Sequence, residues 1–106
     1  MDTEIIKKKV SEDAYSITTH AFIEAEKDGI SPYDIEYVLK NGETIENYPK
    51  RFRCLVCGVM KNKIPLHVVC DYYDFTKNPK EDIRIITVYI PDRDRWIRNK
   101  KRKEDN

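Results

Sequence analysis

The sequence predicts an α+β fold in which two or three N-terminal helices pack on one face of a four-stranded, mainly antiparallel sheet. Two observations favour it. Before Gly42 the apolar residues recur at helical spacing, and after Gly42 they alternate with polar residues as in β-strands. The strand candidates follow one another without long helical crossovers, which favours hairpins and a sheet with its helices on one side.

Two helices are predicted before Ile30. The first covers Thr3 to about Asp13, where Ile and Val residues form a narrow apolar stripe. The second covers about Thr19 to Asp28, with Thr18 or Thr19 as the N-cap and Gly29 as a left-handed stop. Both boundaries follow from side chains that satisfy the unpaired backbone groups of a helix end.

The third helix has the clearest start signal. Ser31-Pro32-Tyr33-Asp34 combines a capping hydroxyl, a proline in the first turn and a carboxylate at the third position. Ile30 and Ile35 are placed to pack as a hydrophobic staple, and Asn41-Gly42 ends the helix.

The rest of the chain is predicted to form the sheet and a basic tail. Residues 1–97 are expected to be a single domain, and residues 98–106 a frayed C-terminal tail. The four strand candidates, rich in Val, Ile, Tyr and Thr, are Thr44–Tyr48, Phe52–Met60, Leu66–Tyr73 and Ile83–Ile90.

Composition excludes several classes of protein. The 106 residues are 40% hydrophobic and 37% charged, enough apolar surface for one small core. Uncharged apolar runs such as Ile85–Ile90 are too short to span a membrane, and the acidic start Met1-Asp2-Thr3-Glu4 is unlike a signal peptide. With three cysteines, an odd number, and no export signal, we expect free thiols in a reducing cytoplasm.

Charge is divided unevenly along the chain. Residues 1–50 hold 6 Lys/Arg against 11 Asp/Glu, whereas residues 51–106 hold 14 Lys/Arg against 8 Asp/Glu. The excess of positive charge in residues 51–106 suggests that this half of the chain has a surface that binds an anion. The alternative is that these charges are only solvated. The basic residues of the C-terminal stretch are Arg93, Arg95, Arg98, Lys100, Lys101, Arg102 and Lys103.

Strand alternation predicts which side chains share the face of the sheet left open by the helices. Arg51 and Arg53 fall on one side of the second strand, and His67 falls on the matching side of the third. Tyr89 is assigned to the same side of the fourth strand, together with Ile83, Ile85 and Thr87, and a bulge or a one-residue register slip would reverse this assignment. Guanidinium groups bind phosphoryl oxygens, an imidazole transfers protons near neutral pH, and a tyrosine donates a hydrogen bond or stacks on a base.

The cysteines admit a second interpretation. Cys54 and Cys57, followed by His67 and Cys70, are residue types that bind zinc. In strands, however, an odd step places Cys54 and Cys57 on opposite faces, and the same holds for His67 and Cys70. We therefore favour thiols that fill a core, with no metal and no other cofactor.

Taken together, the residue pattern from about residue 15 to 97 resembles the bacterial domain-of-unknown-function family numbered 4258. The residues that carry this resemblance are Ser16, Thr19-His20-Ala21, Asp28-Gly29-Ile30-Ser31, Asp34-Ile35, Val38-Leu39, Asn41-Gly42-Glu43, Ile45-Glu46-Asn47-Tyr48-Pro49, Pro65-Leu66-His67-Val68-Val69, Ile86-Thr87-Val88-Tyr89, Pro91 and Trp96. The family is similar in architecture to the RelE/ParE-like toxins. That resemblance implies the toxin of a type II toxin–antitoxin pair, metal-independent RNA cleavage and a cognate antitoxin as partner.

A ribonuclease without a metal needs three kinds of group. His20 or His67 would take the 2′-hydroxyl proton, and Arg51 or Arg53 would stabilise charge at phosphorus. The other histidine, or Tyr89, would protonate the departing 5′ oxygen. RNA would also be held by tail residues, namely Trp96, Arg98, Lys100, Lys101, Arg102 and Lys103.

Each of these side chains also has a structural interpretation. His20 could bond to backbone at a helix start, and His67 could be a half-buried histidine bonded across the sheet. The arginines could be solvated edge charges, and Tyr89 could be packing. The alternative function is a non-catalytic protein- or RNA-binding module with the same fold. No membrane partner is expected, and no sequence feature predicts an oligomeric state.

Overall fold

The computed structural model describes residues 3–92 and 100–102, together with the backbone of residues 96–97. Three helices form where the sequence predicts them. They are α1 (Thr3–Ser11), α2 (Thr19–Lys27) and α3 (Pro32–Asn41). The strands are β1 (Tyr15–Ile17), β2 (Glu43–Tyr48), β3 (Arg53–Val59), β4 (Pro65–Asp71), β5 (Ile83–Tyr89), β6 (Trp96–Ile97) and β7 (Lys101–Arg102).

The helix ends have the capping interactions that the sequence predicts. The Thr18 hydroxyl accepts a hydrogen bond from the Ala21 amide at the start of α2. Ser31 and Asp34 form a reciprocal capping box at the start of α3. Gly29 follows α2 with φ +70°, the left-handed conformation that glycine adopts without a steric cost.

The sheet has five strands in the order β1-β5-β4-β3-β2, and the predicted four-stranded sheet lacked β1. β1 pairs parallel with β5, whereas the other neighbouring strands are antiparallel, so the sheet is mixed. The sequence prediction missed β1 because three residues between two helices are too few for an alternating pattern. Because β1 and its parallel partner β5 are far apart in the sequence, no hairpin turn between them marks the pair either.

The three helices cover one face of this sheet, and the core lies between the two layers. Its largest fully buried side chains include Ile6, Ile35 and Leu39 from the helices and Leu66 and Ile85 from the strands. Because successive side chains of a strand point to opposite faces, the strand residues next to these core positions point to the other side of the sheet, which we call the helix-free face. The helix-free face includes Glu43, Glu46, Tyr48, Arg53, Leu55, Cys57, His67, Val69, Asp71, Arg84, Thr87 and Tyr89.

A β-bulge in each of two strands changes which residues reach the helix-free face. In β5 the register shifts between Ile85 and Thr87, so Ile83 and Ile85 lie in the core although alternation grouped them with Tyr89. Ile85 and Val88 both lie in the core, while Thr87 and Tyr89 lie on the helix-free face. In β2 a bulge between Thr44 and Glu46 interrupts the alternation in the same way.

Part of the basic C-terminal stretch forms short strands in the residues that the structure describes. β6 and β7 pair antiparallel as a two-stranded ribbon. Lys100 and Arg102 bind acidic residues of β2, so this part of the chain lies across the helix-free face. Among the described helices, none has the length and apolar character needed to cross a membrane.

Candidate anion-binding site on the helix-free face

A pocket of about 280 Å³ opens on the helix-free face near the turn between β2 and β3. We call it the arginine pocket, because three guanidinium groups line it. Arg51 comes from the short 3₁₀ turn Pro49–Arg51, Arg53 from β3 and Arg102 from β7. The complete lining is Glu46, Tyr48, Arg51, Arg53, Cys54, Leu55, Val69 and Arg102.

Arg53 is held by a carboxylate on the neighbouring strand. Its Nε atom lies 2.6 Å from Oδ1 of Asp71, and its Nη2 atom lies 3.1 Å from Oδ2. The hydrogen bond to Asp71 is the main reason that the pKa of Arg53 is raised. This two-point geometry orients the guanidinium group, and it matches the fork with which arginine binds phosphate.

Arg102 is held in a similar way by Glu46. Its Nε atom lies 2.9 Å from Oε2 of Glu46, and its Nη2 atom lies 3.2 Å from Oε1. The Tyr48 hydroxyl donates to the same carboxylate over 2.6 Å, which raises the pKa of Tyr48. Lys100 forms a parallel ion pair with Glu43, with 2.6 Å between Nζ and Oε1. The basic segment is therefore attached to β2 by two ion pairs.

Arg51 differs from the other two arginines. It is exposed, and no hydrogen bond or ion pair joins it to any residue that the structure describes. The next residue, Phe52, has φ +51°, a left-handed conformation that is unusual for a bulky side chain. Arg51 is thus the guanidinium group that can meet an anion without giving up a carboxylate partner.

His67 is completely buried on β4, at 0% exposure. Its Nδ1 atom lies 3.1 Å from the hydroxyl oxygen of Tyr89, its register partner on β5, and the two rings meet edge to face. Burial is the main cause of the raised pKa of Tyr89. The structural alternative given for His67 was a half-buried histidine bonded across the sheet. The contact with Tyr89 agrees with that bonding, and the burial of His67 is complete rather than partial.

His20 lies at the start of α2 with a side chain that is 69% exposed. Its Nε2 atom is 3.1 Å from Oε1 of Glu24, one helical turn later. The same carboxylate accepts a hydrogen bond from the Thr87 hydroxyl on β5. Sequence reasoning missed Glu24 and Thr87, and the i,i+4 spacing of His20 and Glu24 was the available signal.

The predicted catalytic residues therefore divide into three groups. Arg51 and Arg53 share the arginine pocket, and His67 contacts Tyr89. Arg53 is four register positions from Cys57, the partner of His67, which corresponds to about 13 Å along the strand. His20 approaches the helix-free face only through Glu24 and Thr87, since Thr87 and Tyr89 lie on that face two residues apart.

The predicted RNA-binding tail is described in part. Lys100, Lys101 and Arg102 are exposed, and the first and last of these form the ion pairs to β2. Arg98, Lys103 and the side chain of Trp96 lie outside the described residues. Arg102 is thus the tail residue that the structure adds to the arginine pocket.

The cysteines occupy both faces of the sheet, as their spacing predicts for strands. Cys54 lies in the core, opposite Cys70 of β4. Cys57 lies on the helix-free face opposite His67, and burial raises the pKa of its thiol. Within residues 3–92 and 100–102, no three His, Cys, Asp or Glu side chains are grouped so that they could hold a metal ion.

Comparison with known proteins identifies the family of the chain. Residues 17–90, from the end of β1 to just beyond β5, match the sequence model of a family described as "Domain of unknown function (DUF4258)". No curated protein matches the chain, and no solved structure does so either. The matched segment includes α2, α3 and the central strands with His20, His67, Tyr89 and the arginines of the β2–β3 turn. This protein therefore belongs to the DUF4258 family.

Proposed function

We propose that this protein is the toxin of a type II toxin–antitoxin pair, which binds RNA on its helix-free face and cleaves it without a metal ion. The observation that carries the proposal is the arrangement of Arg51, Arg53 and Arg102 around one pocket. Part of this proposal is that the family shares the architecture of RelE/ParE-like toxins, which would place the protein in the same class of activity. An antitoxin would then be the natural protein partner, and an acidic segment of it would complement this basic surface.

RNA phosphates are the anions that best fit these three arginines. Each guanidinium group can donate two parallel hydrogen bonds to a phosphoryl group. Asp71 and Glu46, which hold Arg53 and Arg102, are partly exposed and can release them when a phosphate arrives. A phosphate would replace the carboxylate as the charged acceptor of each guanidinium group, so the arginines would keep two-point hydrogen bonding.

The proposed cleavage step moves one proton at each end of the reacting phosphate. His20, oriented by Glu24, takes the proton of the 2′-hydroxyl, and the 2′ oxygen bonds to phosphorus. The bond from phosphorus to the 5′ oxygen breaks, and the Tyr89 hydroxyl donates a proton to that oxygen. Arg53, about 13 Å along the strand from the His67–Tyr89 pair, and Arg51 in the same pocket hold a neighbouring phosphate of the same RNA strand. Since His67 is fully buried, it acts in this proposal by positioning Tyr89.

A non-catalytic protein- or RNA-binding module is the second candidate. The complete burial of His67 and its contact with Tyr89 favour it, because a buried imidazole cannot meet a substrate directly. In that case the arginine pocket would bind the same polyanion without chemistry. If the module binds RNA, the two candidates differ in whether the bound RNA is broken.

The test is cleavage of single-stranded RNA in the presence of EDTA. We expect the wild-type protein to cut, and His20→Ala and Tyr89→Phe to cut about 100- to 10,000-fold more slowly, as for loss of a general base or acid. Lys40→Ala, on α3 in the helix layer, is the matched control and should cut normally. RNA that binds but stays intact would favour the non-catalytic module.

The toxin assignment has a separate test in cells. Expression of the wild-type protein should stop growth, and co-expression of the neighbouring gene's product should restore it. Growth arrest that persists in a cleavage-deficient Tyr89→Phe protein would contradict RNA cleavage as its cause.

A further inference from the structure

We propose that Tyr48 stacks against an unpaired nucleobase in the arginine pocket, so that the protein selects single-stranded over double-stranded RNA. This inference rests on the proposed binding of RNA and names the form of RNA that the same site accepts. It assigns to Tyr48 a role in specificity that the residues of the cleavage step do not have.

Tyr48 presents an aromatic surface beside the cationic groups. It lines the pocket together with Arg51, Arg53 and Arg102, and 42% of its surface is exposed. A base stacked on an aromatic ring, with its phosphates on nearby arginines, is the usual arrangement in proteins that bind single strands. Tyr48 is the last residue of β2 and directly precedes the 3₁₀ turn that carries Arg51.

The ring of Tyr48 is held in place before any ligand arrives. Its hydroxyl donates to Glu46 over 2.6 Å, and Glu46 is in turn bound by two nitrogen atoms of Arg102. A side chain fixed in this way loses little conformational entropy when a base stacks on it. Glu46 therefore has the same role for Tyr48 as Asp71 has for Arg53.

The size of the pocket suits one unpaired base. Its volume of about 280 Å³ lies just below the usual range for small-ligand pockets. In double-stranded RNA the bases are stacked inside the helix, and a protein meets mainly phosphates and 2′-hydroxyl groups. A duplex could contact the arginines but could not place a base on Tyr48.

Fluorescence anisotropy with a labelled RNA that is 2′-O-methylated, and so resists cleavage, tests this proposal. The probe is a short single strand, used alone and annealed to its complement. We expect the wild-type protein to bind the single strand more tightly. Tyr48→Ala should weaken single-strand binding about 5- to 150-fold, the range for loss of one stacked base, and leave duplex binding unchanged.

Two further variants separate stacking from other effects. Tyr48→Phe keeps the ring and loses the bond to Glu46, so it should bind the single strand within a few-fold of wild type. Tyr33→Ala removes a tyrosine that is 81% exposed on α3, in the helix layer, and should change nothing. Circular dichroism of each variant checks that the fold is retained.

The possible failures can be told apart. If the wild type binds single strand and duplex alike, or if Tyr48→Ala weakens both equally, Tyr48 does not select single strands, while RNA binding itself stands. If the wild type binds neither probe at low salt, the proposed function fails and this inference fails with it.

Discussion

The Nδ1 atom of His67 lies 3.1 Å from the hydroxyl oxygen of Tyr89, and these two residues are register partners on the helix-free face. Cys57 faces His67 from the other side, so a thiol, an imidazole and a phenol form a row across three strands. The Tyr72 amide donates a hydrogen bond to the Phe52 carbonyl, so Phe52 and Tyr72 are a hydrogen-bonded pair at the end of the ladder between β3 and β4. Hydrogen-bonded and non-hydrogen-bonded pairs alternate along an antiparallel ladder, and by this alternation Cys57 and His67 form a non-hydrogen-bonded pair. Side chains approach most closely in such pairs.

Tyr89→Phe should destabilise the protein as well as slow cleavage. The change leaves a buried imidazole nitrogen without its hydroxyl partner, which costs about 1–3 kcal/mol in the free energy of unfolding. Urea denaturation measures this loss, with Tyr33→Phe on the exposed surface of α3 as the control. Equal stability of wild type and Tyr89→Phe would show that the contact with His67 contributes nothing.

Asp71→Asn should lower the stability of the fold slightly and raise the affinity for RNA. The substitution removes the charge that holds Arg53, and because the pair is partly exposed the loss of stability should stay below about 1 kcal/mol. The released guanidinium group should bind RNA up to about fivefold more tightly, which is the same free energy expressed as affinity. Glu36→Gln on α3 removes one negative charge far from the arginine pocket and controls for net charge. Weaker RNA binding by Asp71→Asn would mean that Arg53 needs Asp71 to orient it.

The dependence of RNA binding on salt should count the arginines in contact with phosphate. Each contact to a single strand contributes about −0.7 to the slope of log K against log salt concentration, so three contacts predict a slope near about −2. Arg51→Ala, Arg53→Ala and Arg102→Ala should each make the slope less steep by about 0.7. Anisotropy titrations at several salt concentrations measure it, and Lys40→Ala should leave it unchanged. An unaltered slope in Arg51→Ala would remove this residue from the binding site.

Stability at high pH should depend on Tyr15. Burial, and then the hydrogen bond to Glu36, raises the pKa of Tyr15 from 10.0 to about 12, so the folded protein retains a proton that the unfolded chain loses. This stabilisation is complete below pH 10 and is lost as the pH rises from 10.0 to about 12. Tyr15→Phe cannot ionise and should make the decline of the unfolding free energy in this window less steep. Urea denaturation at a series of pH values measures it, and Glu36→Gln should have a smaller effect because burial is the larger cause.

The helices and the faces of two strands could be predicted because their signals are local. The capping box Ser31–Asp34 and the left-handed Gly29 act within one helical turn, so a short window of sequence contains the whole interaction. Alternation in β3 and β4 placed Arg53 and His67 on the same face for the same reason.

The bulges and the edge strand could not be predicted in this way. A bulge depends on how two strands fit together, and the register shift in β5 is visible only against β4. β1 exists because Tyr15–Ile17 pairs with Ile83–Ile85, a contact between segments far apart in sequence. Short-range patterns contain no information on such pairing.

The candidate site shows the same division. The sequence predicted Arg51 and Arg53 as neighbours on one strand face; both line the arginine pocket, but Arg51 reaches it from the 3₁₀ turn before β3 and not by strand alternation. Only the folded chain brings Arg102 to Glu46 and Tyr48 and so completes the arginine pocket. Only the packing of α2 against β5 joins His20 to Thr87 through Glu24. The physical reason is that local backbone preferences specify helix ends and strand faces, whereas long-range packing decides which distant side chains meet.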